Sequence, residues 1–170
     1  MGIAEAATIT QYLTFRLDDE VFAFDISKVR EVLDMTTITR VPGMPEFMRG
    51  AINLRGSVVP VFDLRMRFGM SMTENTINTC IIIVEATADD ETVIVGALAD
   101  SVQEVLDLEP AQIEPAPKLG MRQRAEFITG MGKQGDGFII MLDMDRIFSA
   151  DELVQAQGLE DNASQPQAAA

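Results

Sequence analysis

The sequence predicts a mainly β fold that consists of two small barrel-like units, each with about five short strands and brief helices. Two observations carry this prediction. Short apolar stretches, several with period-two alternation, are separated by turn residues along most of the chain. The second half of the chain also repeats the order of the stretches in the first half, which is the pattern of a duplicated unit.

The first stretch predicts a β-hairpin. Residues 11–17 alternate between apolar and polar side chains, which places Leu13 and Phe15 on one face. The acidic residues 18–20 predict the polar tip of the hairpin, and residues 21–25 predict the returning strand.

The next stretch predicts a helix of one to two turns. The apolar side chains within residues 26–33 have helical spacing, and Asp25 is available as the N-cap. On this prediction Val32 and Leu33 bury the helix in the core, whereas Val29 belongs either to the core or to an interface.

Three further elements complete the first unit. Residues 36–41 are strand-like. Residues 50–54 and 57–62 predict the two strands of a second hairpin. Asp63 then predicts the N-cap of a short helix over 64–68.

Four segments of the second half match four segments of the first half in the same order. The separation between matching residues grows along the chain, as it does when loops lengthen after a duplication. The matching segments are 18–20 and 89–91, 29–34 and 102–107, 47–50 and 127–130, and 63–68 and 143–148. We expect one subdomain over about 11–78 and another over about 79–154, with the termini open to exchange between them. Residues 1–10 and 155–170 have the composition of disordered ends.

The composition argues against several classes of partner. The 27 acidic and 13 basic residues give a net charge of −14, so nucleic acid and anionic membrane surfaces are poor partners. No apolar run approaches the roughly 20 residues that a membrane helix requires, so we expect no membrane insertion. The first residues lack the pattern of a signal peptide, and we expect a cytoplasmic location.

The sequence also argues against catalysis, cofactors and metals. It contains no histidine, which removes the commonest general base and the commonest neutral metal ligand. The single cysteine, Cys80, lies in an apolar run and is expected to be a buried structural thiol. The acidic clusters at 18–20 and 89–91 fall at expected turns, where adjacent carboxylates splay apart. A small β-barrel enzyme that uses acidic residues is the alternative, and it requires convergent carboxylates in a pocket.

The most specific local motif consists of Asn53, Leu54, Arg55 and Gly56. It fits a hairpin turn, because glycine adopts positive φ and asparagine hydrogen-bonds to nearby backbone. Nothing in turn chemistry requires a guanidinium, however, and an exposed arginine beside apolar strands is a common interface anchor. The motif therefore allows both a structural and a binding interpretation of Arg55.

Residues 47–65, which contain this motif, resemble the signature segment of the CheW domain family. Other segments resemble the same family in the same order, namely 12–17, 21–25, 28–33, 102–106 and 112–117. The resemblance covers about residues 11–154. It implies two SH3-like five-stranded β-barrel subdomains around a shared hydrophobic core, with short helices.

The resemblance also implies a function and two protein partners. The function is that of a non-catalytic adaptor in bacterial chemotaxis signalling. The partners are the regulatory domain of the histidine kinase CheA and the helical signalling tip of chemoreceptors. The implied receptor-binding groove lies between the subdomains and is lined by Val29, Glu31, Gly50, Arg55, Val102 and Val105.

Several expectations accompany this resemblance. The exposed sheet ends of the subdomains are expected to meet CheA. A coupler of a non-flagellar chemosensory pathway, such as one for surface motility, is the alternative output. We expect a stand-alone coupler that is monomeric when free and is recruited from the cytoplasm to membrane-associated receptor arrays.

Overall fold

The computed structural model describes residues 9–88, 90–115 and 127–148, together with Glu152. Within these ranges the strands are β1 (Thr10–Leu17), β2 (Glu20–Asp25), β3 (Val29–Asp34), β4 (Met48–Leu54), β5 (Ser57–Asp63), β6 (Cys80–Ala88), β7 (Glu91–Ala99), β8 (Ser101–Leu108), β9 (Ile113–Glu114), β10 (Ile128–Gln134) and β11 (Gly137–Leu142). Short helical turns occupy Ile26–Lys28, Leu64–Arg67, Pro110–Gln112 and Met144–Ile147. The expected disordered ends, apart from residues 9 and 10, lie outside the described residues, as do Asp89 and residues 116 and 117.

The strands form two sheets with the same internal order. One sheet has the order β8-β1-β2-β11-β10-β9, and the other has the order β3-β6-β7-β5-β4. In each sheet the second strand of a hairpin, β2 or β7, pairs with a parallel neighbour, β11 or β5. In the first sheet, β9 pairs with the edge of β10. At the equivalent edge of the second sheet, Thr39 pairs with Ala51 of β4 through an isolated bridge. This architecture confirms the expected mainly β fold.

The two halves of the chain exchange strands. The hairpin β1–β2 lies in the sheet with β8 to β11, and the hairpin β6–β7 lies in the sheet with β3 to β5. Sheet membership therefore does not follow the expected boundaries of 11–78 and 79–154. The parallel pairings of β2 with β11 and of β7 with β5 are the cause, because each places a hairpin beside the other copy of the repeat.

Equivalent hydrogen bonds identify the duplication in three dimensions. The backbone N–H of Asp63 donates to the carbonyl of Phe47 at 2.6 Å, and the N–H of Asp143 donates to the carbonyl of Phe127 at 2.7 Å. Both aspartate side chains also accept hydrogen bonds from the first turn of the helix that follows. The N-cap predicted for Asp63 is thus confirmed, and Asp143 makes the equivalent cap in the second copy.

The apolar side chains form three clusters, because the central strands are buried on both faces. In β6, Ile81 and Ile83 point into one barrel, whereas Cys80, Ile82 and Val84 point into a cluster between the barrels. A third cluster fills the other barrel. The cluster between the barrels is the shared core, and it contains every buried phenylalanine of the described residues.

Arg67 spans the boundary between the two copies. Its guanidinium lies 4.9 Å from the ring centroid of Phe47 and 5.0 Å from that of Phe127. Its Nε donates a hydrogen bond to the backbone carbonyl of Ile147 at 2.9 Å. Since the two phenylalanines are equivalent in the repeat, Arg67 joins the copies at the point where they meet.

The expected helix over 26–33 is wrong. Only Ile26–Lys28 forms a turn of 3₁₀ helix, which Asp25 caps by accepting a hydrogen bond from the N–H of Ser27 at 2.9 Å. The chain then continues as β3 and pairs with β6. The matching segment 102–107 lies in β8, so both copies have a strand here.

A β-bulge explains the helical spacing of the apolar residues. The register of β3 against β6 shifts between Val29 and Glu31, and a bulge of this kind moves the alternation by one residue. Leu33 packs in its barrel as expected. Val32 lies on the opposite face and is 42% exposed, so its expected burial in the core is wrong. The expected strand over 36–41 is also wrong, because only Thr39 makes a ladder contact.

Candidate protein-interaction groove

Two edge strands, β3 and β8, border the shared core and carry the candidate site. Val29 and Val102 are half-buried against the shared core. Val32 and Val105 are 42% and 46% exposed, and the leucine that follows each of them points into its own barrel. The two exposed valines therefore face outward beside the core. We call the surface formed by Val29, Val32, Val102 and Val105 the valine groove.

The two walls of the valine groove run in opposite directions. Cys80 of β6 lies opposite Asp34 at the end of β3 and is hydrogen-bonded to the backbone of Val102 at the start of β8. Val29 pairs with Val84 of β6. Val84 lies about 13 Å from Cys80 along β6, at the rise per residue of an extended strand. Val29 and Val102 thus lie at opposite ends of the groove.

The walls are also related by the duplication. Val32 lies opposite Ile82 of β6, and Val105 lies opposite Leu13 of β1. A bulge precedes each exposed valine, and in each wall the valine before the bulge packs on the shared core. The valine groove therefore has an approximate two-fold axis between its walls.

Burial determines the protonation state of the thiol at the floor of the groove. Cys80 is buried, and desolvation raises its pKa to about 11. The side chain is therefore a neutral thiol at physiological pH, consistent with the structural role predicted for it.

The turn between β4 and β5 has an unusual residue at its centre. Arg55 and Gly56 have φ values of 50° and 89°, and two positive values define a type I′ turn. Asn53 Oδ1 accepts a hydrogen bond from the N–H of Gly56 at 2.9 Å, and Leu54 packs in the barrel. Asparagine or glycine is the usual first central residue, so an arginine there imposes backbone strain. The strain indicates a role for the Arg55 side chain beyond the turn.

That side chain forms an ion pair with Glu31 of β3. Arg55 Nη1 donates to Glu31 Oε1 at 3.2 Å, and Nη2 donates to Oε2. These hydrogen bonds lower the pKa of the Glu31 carboxyl and raise the pKa of the Arg55 guanidinium. Because β3 and β4 are the two edges of the five-stranded sheet, the ion pair joins those edges beside Val32. The Arg55 side chain remains 70% exposed and accessible to a partner.

Gly50 supports this region from within and does not line the valine groove. It is buried, its φ is 142°, and a Cβ there would collide with the backbone carbonyl of Thr39. The same close approach occurs at the equivalent Gly130, where a Cβ would lie 2.7 Å from the carbonyl oxygen of Glu114. Each glycine lets a second backbone segment pack against the strand.

The second copy has no ion pair equivalent to that of Arg55 and Glu31 among the described residues. Gly135 occupies the position of Arg55 in the turn between β10 and β11, and Glu104 occupies the position of Glu31. The carboxylate of Glu104 is exposed and pairs with no described cation. Its backbone is fixed, because Thr14 Oγ1 donates to the Glu104 carbonyl at 2.7 Å and accepts from its N–H at 3.1 Å.

The acidic turns lie at the tips of two hairpins. Asp18 and Asp90 occupy hairpin tips with φ values of 59° and 64°. Within the described ranges, no group of three acidic or thiol side chains is arranged to hold a metal ion. The helices in those ranges are all too short to span a bilayer.

Comparison with known proteins agrees with this geometry. A family model described as the CheW-like domain matches residues 11–152. The chain belongs to the CheW-like family. It is 34% identical over 143 residues to the chemotaxis protein CheW of Klebsiella aerogenes, with 84% of each chain covered. It is 32% identical over 160 residues to the chemotaxis protein CheW of Thermotoga maritima, with 92% of this chain and 98% of that one covered.

A solved CheW structure has the same fold. The crystal structure of the scaffolding protein TtCheW from Thermoanaerobacter tengcongensis matches with a TM-score of 0.76 at 33% identity, and the match covers 86% of this chain and 94% of that one. The sequence resemblance and the fold of two SH3-like subdomains are thereby confirmed. The CheW-like family is a family of scaffold proteins in chemotaxis signalling.

Sequence reasoning missed two residues of the site. Val32 was expected in the core, although its match with Val105 across the repeat would have predicted exposure. Thr14 is fully buried and fixes the bulge that carries Glu104. No sequence signal identifies Thr14, because its role depends on the pairing of β1 with β8.

Proposed function

We propose that this chain is a non-catalytic adaptor that couples chemoreceptors to the histidine kinase CheA in bacterial chemotaxis signalling. The observation that carries the proposal is the valine groove, an exposed apolar surface at the edges of two sheets in a CheW-like chain. An adaptor needs surfaces for two partners and no reactive group. The absence of histidine and the placement of acidic residues at turns support a non-enzymatic role.

The valine groove is suited to the helical signalling tip of a receptor. A helix docks with apolar side chains in a groove and charged side chains at the rim. Val32 and Val105 supply exposed apolar contacts on the two walls. Arg55 pairs with Glu31, the residue before Val32, and most of its side chain is accessible, so it can also pair with an acidic side chain of the helix. Arg55 and Glu31 thus contact the partner at the rim of the groove. Gly50 acts indirectly, because it lets the Thr39 backbone pack against β4.

The regulatory domain of CheA is the second proposed partner. CheW-like proteins resemble this domain, so the exposed ends of the two sheets can pack against equivalent ends of the kinase domain. This arrangement leaves the valine groove free for a receptor. We further propose that the protein is a cytoplasmic monomer when free and joins membrane-associated arrays through these contacts.

Co-sedimentation tests the proposal. The chain is mixed with CheA and a receptor signalling fragment, and the pelleted fraction and kinase activity are measured. We expect a ternary assembly with increased kinase activity. Val105→Lys should reduce incorporation because it places a charge in the groove, whereas Ile77→Lys makes the same chemical change at a fully exposed loop residue and should have little effect. Failure of the unmodified chain to enter any assembly would remove the support for an adaptor.

A coupler of a non-flagellar pathway has the same groove and differs only in its receptors and kinase. Swarming and swimming assays of a deletion strain distinguish the two outputs. A small β-barrel enzyme is not supported by any contact among the described acidic residues, because those at 18–20 and 90–91 lie at hairpin tips or strand ends beside them.

A further inference from the structure

The approximate two-fold axis of the valine groove creates an ambiguity for any helix that docks there. Rotation about this axis exchanges Val29 with Val102 and Val32 with Val105. A helix that is reversed end for end therefore meets nearly the same apolar contacts. The valines alone cannot select one direction, since they are the same residue type in equivalent positions.

Charge breaks this symmetry. On the β3 wall, Glu31 is neutralised by Arg55. On the β8 wall, the equivalent Glu104 has no described cationic partner, because Gly135 stands in the position of Arg55. The two walls thus present similar apolar surfaces, but on the β8 wall the residue before the exposed valine is a carboxylate that pairs with no cation among the described residues.

The backbone that carries this carboxylate is also held in place. Thr14 makes two hydrogen bonds to the backbone of Glu104, at 2.7 and 3.1 Å, and Thr14 is itself buried. The equivalent position of the other wall, Ile83, has no side chain that can make such bonds. A fixed backbone lowers the entropy cost of pairing the Glu104 carboxylate with a partner.

We propose that Glu104 sets the direction in which a partner helix docks in the valine groove, by pairing with a lysine or arginine on one side of that helix. This inference rests on the proposed function, because it assumes that the partner in the groove is a helix. The reversed helix would place its cation against the neutralised pair on the β3 wall, where Arg55 repels it. An exposed charge pair favours one direction by about two- to fivefold.

The test measures direction and affinity separately. A receptor-tip fragment carries a nitroxide label at one end of its docking helix, and the methyl signals of Val29 and Val102 are recorded in the isotope-labelled chain. These valines lie at opposite ends of the groove, so the label broadens mainly one of them if the helix has one direction. Moving the label to the other end of the helix should exchange the broadened signals.

Glu104→Gln should make the broadening of the two valines nearly equal and weaken total binding by about 1.5- to threefold, because the reversed direction remains available. Gly135→Arg should have the same effect on the broadening, because it gives the second turn the cation that Arg55 supplies in the first turn. A Cβ at Gly135 meets no neighbouring atom, and its φ of 56° is close to that of Arg55. Gly135→Gln is the matched control, since it has similar size and backbone strain but no charge, and it should leave the direction unchanged.

The outcomes separate this inference from the proposed function. Tight binding with equal broadening in the unmodified chain, or a direction unchanged by both Glu104→Gln and Gly135→Arg, overturns the role of Glu104 and leaves the adaptor function intact. No binding of the receptor fragment to the unmodified chain overturns the receptor-coupling function itself. A preferred direction that Glu104→Gln and Gly135→Arg both abolish supports the inference.

Discussion

Arg67 donates a hydrogen bond from Nε to the backbone carbonyl of Ile147, and these two residues hold equivalent positions in the two copies of the repeat. The side chain of Arg67 also lies between Phe47 and Phe127, which form a second equivalent pair. A single arginine from the first copy therefore occupies the contact between the two copies. The duplication is symmetric in its backbone and asymmetric at its centre.

We predict that Arg67→Ala destabilises the fold by about 2 to 3 kcal/mol, because it removes two stacked aromatic contacts and a charged hydrogen bond from a mostly buried site. Urea unfolding measures the loss. Arg67→Lys should be intermediate, since it keeps the charge and loses the planar group. Arg146→Ala is the control, because that side chain is 71% exposed and should cost less than about 0.5 kcal/mol. Equal losses for Arg67→Ala and Arg146→Ala would contradict the central role of Arg67.

We predict that Arg55→Ala weakens receptor binding and leaves the fold intact. The side chain is exposed and Gly56 remains in the turn, so the free energy of unfolding should change little. Thermal melts and receptor-tip pull-downs of the variant and the parent measure the two effects. A large loss of stability with unchanged binding would make Arg55 a structural residue.

The Arg55 pair also has a pH dependence. Because the hydrogen bonds from Arg55 lower the pKa of Glu31 in the folded protein, the pair stabilises the fold above the ordinary pKa of a glutamate. This contribution is lost as the pH falls through the lowered pKa of Glu31. Carboxyl-carbon NMR titration should place the midpoint of Glu31 below 4.5, and Arg55→Ala should raise that midpoint. An unchanged midpoint in the variant would show that the ion pair does not form in solution.

We predict that Gly50→Ala disrupts the fold far more than Gly56→Ala. A Cβ at Gly50 collides with the Thr39 backbone, and neither segment can move without breaking the bridge between Thr39 and Ala51. At Gly56 a Cβ meets open space, so the cost comes from the positive φ alone and should be about 1 to 2 kcal/mol. Chemical denaturation of both variants measures the difference. Comparable losses would mean that the contact with Thr39 is easily relaxed.

We predict that Cys80 reacts slowly with iodoacetamide in the native state. Burial raises its pKa to about 11, so the reactive thiolate is scarce at pH 8 and access is blocked. Mass spectrometry should show rapid alkylation only in denaturant. Since the folded pKa is raised, stability should fall as the pH rises above the ordinary thiol pKa of about 8.5. Fast native alkylation at pH 8 would place Cys80 at the surface.

Local elements could be predicted from sequence where the signal was itself local. The hairpins, the Asp63 cap and the Arg55 turn follow from alternation, capping and turn chemistry, and the Asp143 cap follows from the match between 63–68 and 143–148. Family resemblance then identified the fold, which the solved CheW structure confirms, whereas the receptor-binding groove stays a prediction.

The errors arose where the structure departs from local rules. The bulge after Val29 shifts the alternation of β3, and the shifted spacing is indistinguishable from that of a short helix. The position of Arg67 between Phe47 and Phe127 depends on how the two copies meet, and no local pattern encodes such a contact. The exchange of hairpins likewise depends on pairings between distant strands.

That exchange has a consequence for the growing polypeptide on the ribosome. The hairpin β1–β2 emerges first, but its two sheet neighbours, β8 and β11, emerge late. The nascent chain must therefore carry an apolar hairpin with open edges through most of its synthesis, a state that invites aggregation. Completion of the fold waits for β11, so a chain released from the ribosome before residue 137 leaves β2 without its parallel neighbour.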